Sequence, residues 1–110
     1  MNSLGWTVEK TEERTVVRFT GELDMTGFAE AEQVVQAAEE TGRPLLVLDR
    51  SDLEFMDSNG LHLLLLASGR AKQDSHRLAV VPGKARRLLE LTGMLDLFEI
   101  LDESLRPSQA

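Results

Sequence analysis

The residues whose types and spacing lend themselves to chemistry are Asp57-Ser58-Asn59-Gly60, set inside the stretch 53–66, LEFMDSNGLHLLLL. An apolar run, LLVLD at 45–49, comes before this stretch, and an unbroken leucine-rich run continues it. The polar tetrad therefore reads as a turn between a strand and a helix, with Ser58 as the N-terminal cap. A capping serine lends its side-chain oxygen to the free backbone N–H groups of the first turn. Those groups, together with the helix dipole, make the position hospitable to an anion, and a phosphate carried on Ser58 would sit in that field. The same four residue types are what any strand-to-helix turn prefers. Taken alone, the tetrad is more often an ordinary cap than a functional site.

The elements that must position this turn follow from periodicity. Residues 6–9 and 15–23 alternate apolar and polar around a short charged connection, which predicts an antiparallel pair with Val17 and Phe19 on one face and Trp6 covering the edge of the core. From Thr26, a candidate cap, the period changes: Phe28, Ala31, Val34, Val35 and Ala38 fall at helical spacing, and Gly42 and Pro44 stop the helix. Its Glu30, Glu32, Glu39 and Glu40 read as a solvated face. The run 45–49 has no alternation and predicts a central strand covered on both faces. The helix after it, 58–73, projects Leu61, Leu64, Leu65 and Ser68 onto one face and His62, Leu63 and Leu66 onto the other. Leucine on both faces means either burial all round or a contact surface, and Leu63 and Leu66 are the candidates for partner contact.

A short buried strand at 78–81, a helix at 84–91 with Ala85, Leu88 and Leu89 inward, and a strand at 97–101 complete the order β-β-α-β-α-β-α-β. The tail 102–110 reads as a short helix or a frayed end. The expected class is α/β: a small mixed sheet of about five strands, the first pair antiparallel and the later ones mainly parallel, with three to four helices. With 110 residues the chain is expected to be one domain, 1–110, with its core at about 6–101.

Composition excludes several function classes. Nineteen acidic against twelve basic residues leave a net charge of -7, which opposes direct nucleic-acid binding; Lys84, Arg86 and Arg87 are a thin basic cluster. Cysteine is absent, which removes disulfides, thiolate catalysis and cysteine-built zinc sites. No metal or cofactor is expected. The charged N-terminus and the lack of a long apolar run argue against a signal peptide and membrane insertion, so the expected location is the cytoplasm.

Phe55-Met56-Asp57-Ser58-Asn59-Gly60-Leu61, after a buried strand and before a leucine helix, resembles the phosphorylation-site motif of the STAS domain family, in particular the bacterial anti-sigma-factor antagonists. Gly21-Glu22-Leu23-Asp24 is similar to the family's turn after the second strand, and the segment from Arg87 to Met94 to its third helix. The resemblance implies partner switching. The unmodified antagonist binds an anti-sigma factor that is also a serine kinase and so frees a sigma factor; phosphorylation releases the kinase, and a serine phosphatase restores the active form. On that reading the protein is not itself an enzyme. Ser58 is the phosphoacceptor, with Asp24, Met56, Asp57, Asn59 and Gly60 around it, and the partner surface comprises Asp24, Thr26, Ser58, Asn59, His62, Leu63 and Leu66. Asn59 departs from the second serine common in the family. The oligomeric state is open between monomer and weak dimer.

Two other readings compete. Asp24, Asp49, Asp52 and Asp57 lie near expected strand ends, as in a phosphate-accepting, magnesium-binding receiver, but the first strand is not followed by an acidic pair. STAS domains also serve as accessory or scaffold subunits of transporters and sensory complexes, and those linked to transporters often lack the serine found here at 58.

Overall fold

The structure, a computed structural model, describes residues 4–56, 58–83 and 86–101, and only the backbone of 54–56. The strands are β1 (Gly5–Lys10), β2 (Arg14–Leu23), β3 (Leu45–Met56), β4 (Arg77–Val81) and β5 (Glu99–Ile100). The helices are α1 (Phe28–Glu39), α2 (Ser58–Asp74) and α3 (Arg86–Leu91), and a 3-10 turn, Leu95–Leu97, precedes β5. The sheet order is β1-β2-β3-β4-β5, with β1 antiparallel to β2 and every other pair parallel. The expected mixed sheet is therefore present. Lys84, Ala85 and the tail 102–110 lie outside the described residues, so α3 is described over a shorter span than expected.

Alternation along the strands divides the core in two. Val17 and Phe19 of β2, Leu46 and Leu48 of β3, and Leu78 and Val80 of β4 form the larger cluster with Ala31, Val35 and Ala38 of α1, with Leu63, Leu64, Ala67 and Ala71 of α2, and with Leu89 of α3. Their strand neighbours Val16, Val47, Ala79 and Val81 form a smaller cluster, against which Leu45 and Leu101 pack. Leu46, Val47 and Leu48 are all buried, as expected of a strand covered on both faces.

The third strand is much longer than the sequence pattern suggested, because it continues through two irregularities. Arg18 pairs with Asp49 and Thr20 with Asp52, so two residues of β3, Arg50 and Ser51, oppose the single Phe19 of β2. Asp49 stabilises the bulge from the buried side: its Oδ1 accepts hydrogen bonds from the Ser51 amide at 3.0 Å and hydroxyl at 2.6 Å, and its Oδ2 accepts one from Arg18 Nε at 3.1 Å. The turn after β4 closes on the same bulge. Gly83 has φ +55°, and a Cβ there would stand 2.6 Å from the Ser51 Cα, so only glycine fits.

Arg50 is the anomaly of this bulge. It is 1% exposed, and among the described residues none of its three guanidinium nitrogens has a hydrogen-bond partner. Burial lowers its pKa to about 10, so it remains charged at neutral pH, and a buried charge without a partner opposes folding.

The phase of α2 corrects the sequence expectation. Gly60, Leu63, Leu64, Ala67 and Ala71 are buried, at the i, i+3, i+4 spacing of a single face. Leu65 is 45% exposed, whereas Leu63 is 0% exposed. Leu63 thus faces the core and is not available to a partner, and Leu66 is half-buried. Five leucines within six positions give almost no contrast around the helix. The small residues Gly60, Ala67 and Ala71, which let the helix approach the sheet, set the phase. A second correction concerns α1, where Glu32 and Glu39 are not simply solvated. Arg70 of α2 donates from Nη2 to Glu32 Oε1 and from Nε to Glu39 Oε1, both at 2.7 Å, clamping the two helices together.

Two stability measurements follow. Leu63→Ala is expected to lose about 2–5 kcal/mol in denaturant unfolding, as for a core leucine; a loss within about 0.5 kcal/mol would place the side chain at the surface. Arg50→Met is expected to gain about 1–4 kcal/mol, the range found when buried charges are exchanged for apolar groups of similar volume, and a loss would mean that the guanidinium is engaged after all.

Candidate functional site

β2 and β3 end side by side, with Leu23 paired to Met56, so the chain leaves both strands at one end of the sheet. The turn after β2 carries Asp24 and Thr26 into α1. The connection after β3 carries Ser58 into α2. Parallel strands with helical returns bring the two helix starts together, and a ring contact joins them: Phe28 of α1 stacks on His62 of α2, with centroids 5.3 Å apart and planes 11° from parallel. Ser58 lies one helical turn before His62 on the same face, and both are exposed.

The local chemistry differs from expectation in two details. Thr26 does not cap α1: the N-cap position is Gly27, which makes no side-chain cap. Asp24 organises the turn instead, its Oδ1 accepting hydrogen bonds from the Thr26 hydroxyl at 2.6 Å, the Thr26 amide at 3.0 Å and the Gly27 amide at 3.4 Å. A carboxylate competes better than a hydroxyl for free amides, and the Thr26 hydroxyl, followed by the Thr26 and Gly27 amides, holds the Asp24 carboxyl below its ordinary pKa. Ser58 is the first residue of α2 and not the residue before it. Asp57 and the side chain of Met56 lie outside the described residues.

Of the expected site residues, Asp24, Thr26, Ser58, Asn59, Gly60 and His62 are gathered at this end of the molecule. Gly60 is buried and Asn59 half-buried. Leu63 belongs to the core, as described above. Sequence reasoning passed over two apolar side chains near the same surface, Leu65 and Met25, the latter 76% exposed beside Asp24. The signal for Leu65 was the spacing of Gly60, Ala67 and Ala71. Met25 carried none beyond its place in a polar turn.

Of the carboxylates of the receiver-like reading, Asp57 lies outside the described residues. Asp49 is buried in the bulge and Asp24 is tied into its turn; among the described residues no three histidine, aspartate or glutamate side chains are grouped to hold a metal ion. Two clefts lined by described residues contain none of the candidate residues. One, of about 250 Å³, lies between β1 and α1 against Trp6 and Val34. The other, of about 350 Å³, lies beside His76, Asp96 and Phe98. Of the basic cluster, Arg86 is engaged by Glu90 at 3.3 Å, and Lys84 lies outside the described residues. Among the described residues no helix is long and apolar enough to cross a membrane.

Comparison with known proteins agrees with this architecture. The family model described as "Mlab, STAS domain" matches residues 6–102. An anti-sigma-B factor antagonist of Staphylococcus aureus is 29% identical over 86 residues, which are 76% of this chain and 80% of that protein. The crystal structure of an anti-sigma factor antagonist from Mycobacterium paratuberculosis superposes with a TM-score of 0.81 at 31% identity, covering 94% of this chain and 88% of that one. The Bacillus cell fate determinant SpoIIAA in its phosphorylated form has the same fold, with a TM-score of 0.70 at 23% identity over 91% of this chain and 94% of that one. A β-β-α-β-α-β-α-β chain, its sheet mixed at one edge and its first two helices starting together at the strand ends, is thus a member of the STAS domain family.

Proposed function

We propose that this protein is an anti-sigma-factor antagonist that works by phosphorylation-controlled partner switching: with Ser58 unmodified it binds an anti-sigma factor that is also a serine kinase, and phosphorylation of Ser58 ends that binding until a serine phosphatase removes the group. The observation that carries the reading is the position of Ser58. It is an exposed hydroxyl in the first turn of a long helix, beside the Asp24–Thr26 turn and the Phe28–His62 stack. Around it the surface offers Asp24, Thr26, Asn59 and His62, with Met25 and Leu65 as exposed apolar contacts and Leu66 half-buried at its margin. The names of the S. aureus and M. paratuberculosis relatives point to the same class of partner.

The physical basis of the switch is local. A phosphate adds about -1.5 to -2 charge to a protein that already carries -7. The free amides at the helix start tolerate that charge within the protein, so the fold survives. Against a partner docked on the same turn, the phosphate must be desolvated and meets any facing carboxylate. About 3 kcal/mol of such penalty lowers affinity by two decades. The alternative use of the fold is as an accessory or scaffold subunit of a transporter or sensory complex; the forms linked to transporters often lack the serine, and its presence at 58 favours the antagonist class.

Binding of the cognate anti-sigma factor is expected to be equal for wild type and Ser58→Ala and about 100-fold weaker for the protein phosphorylated on Ser58. Equal affinity for all three would remove the switch, and recovery of transporter subunits in place of a kinase would favour the alternative. Leu65→Ala is expected to weaken binding about tenfold with the unfolding midpoint unchanged, as for an apolar anchor at an interface; unchanged binding would exclude this face of α2 from the contact.

A further inference from the structure

Ser58 and His62 are four residues apart on α2, the spacing at which side chains of a helix meet, with about 5–6 Å between their Cβ atoms. His62 is exposed, and its ring is stacked face to face with Phe28 across the α1–α2 boundary. Stacking engages one face of the imidazole and leaves both nitrogens at the ring edge, where a neighbour on the same helix face can reach them. Of the acidic groups that α1 and its preceding turn carry, Asp24 is engaged by Thr26 and Gly27, and Glu32 and Glu39 by Arg70. Glu30 is exposed on α1, and along α2 itself Leu65 and Leu66 follow His62 without charge.

We infer that His62 is the internal counter-ion of a phosphate on Ser58, positioned for that task by its stack on Phe28. The inference rests on the reading of Ser58 as the phosphoacceptor and adds to it a residue that holds the modified state. The phosphate is drawn along the outer face of α2 toward the imidazolium, away from Asp24. Histidine as a residue type changes charge between about pH 5 and 8, and the second ionisation of a phosphoserine lies near pH 6, so the pairing is pH-dependent. Pairing raises the pKa of the imidazole and lowers that of the phosphate. The stabilisation it brings is lost as pH rises through the raised imidazole value, and it weakens as pH falls through the lowered phosphate value. It is greatest between the two.

The test uses the full chain with phosphoserine installed at position 58 during synthesis, so that no kinase is required. In a phosphorus NMR titration the phosphate of the wild-type chain is expected to titrate about 0.3 unit lower than that of His62→Gln, the scale of an exposed i, i+4 ion pair. The His62 ring should titrate higher in the phosphorylated than in the unmodified chain. Phe28→Leu, which keeps the imidazole and removes its stacking partner, is expected to shrink both shifts; shifts of full size there would overturn the positioning role of Phe28. An identical phosphate midpoint in wild type and His62→Gln, with the His62 midpoint unmoved by phosphorylation, overturns the pairing. That result leaves the kinase reading standing, whereas failure of a partner kinase to modify Ser58 overturns the kinase reading and with it the role of the pair, even where the phosphate and imidazole shifts of the synthetic chain are seen.

Discussion

The parallel pairing of β2 with β3, carried past the Arg50–Ser51 bulge until Leu23 meets Met56, is the constraint on which the rest of this structure depends. Without the extra residues the two strands would part company near Asp49, where β4 also ends its pairing with β3. With them, two strand ends are brought level and two helices begin side by side. Asp49, itself fully buried, makes this possible by accepting hydrogen bonds from Ser51 and Arg18. A surface assembled from two chain segments more than thirty residues apart thus rests on a buried carboxylate that takes no direct part in it.

The boundary between α1 and α2 has two kinds of contact along its length. At the helix starts it is a ring stack, Phe28 on His62. Farther along it is a charge clamp, in which Arg70 bonds both Glu32 and Glu39. Glu39 lies deep enough that desolvation raises its pKa despite Arg70, so part of the Coulombic attraction is offset by burial. The stack involves no such opposition and leaves its outer edge open to solvent. The clamp is accordingly the structural end of the boundary and the stack its adaptable end, adjoining Ser58.

The larger core explains why α2 tolerates so many leucines. One face, with small residues at Gly60, Ala67 and Ala71, lies close against the sheet and buries Leu63 and Leu64. The remainder of the leucine run is shared between the margin of the core, where Leu61 packs, and the solvent face, where Leu65 stands. An exposed leucine on a helix that begins with an exposed serine joins an apolar contact to a modifiable group within two turns. That composition is what the proposed switch asks of its docking surface.

Much of this was readable from the chain alone. Strand alternation at Val17 and Phe19, the unbroken apolar run at 45–48, the helical spacing from Phe28 to Ala38 and the stops at Gly42 and Pro44 are local patterns, and local patterns determine element type and order. The Asp57–Gly60 turn and its serine were likewise local. The phase of α2 was not, because leucines at 61 and 63–66 are nearly equivalent to a helix projection, and only contact with the sheet chooses among them. The length of β3 was hidden by Arg50 and Asp52, charges that read as a loop until a bulge buries the first of them. The meeting of Phe28 with His62 and of Asp24 with the Ser58 end lay beyond any sequence window, because it depends on which strands become neighbours. Sequence determined what each segment is and that a serine begins a helix; tertiary structure decided what stands beside that serine, since proximity between distant segments is a property of the sheet's register and of no single element.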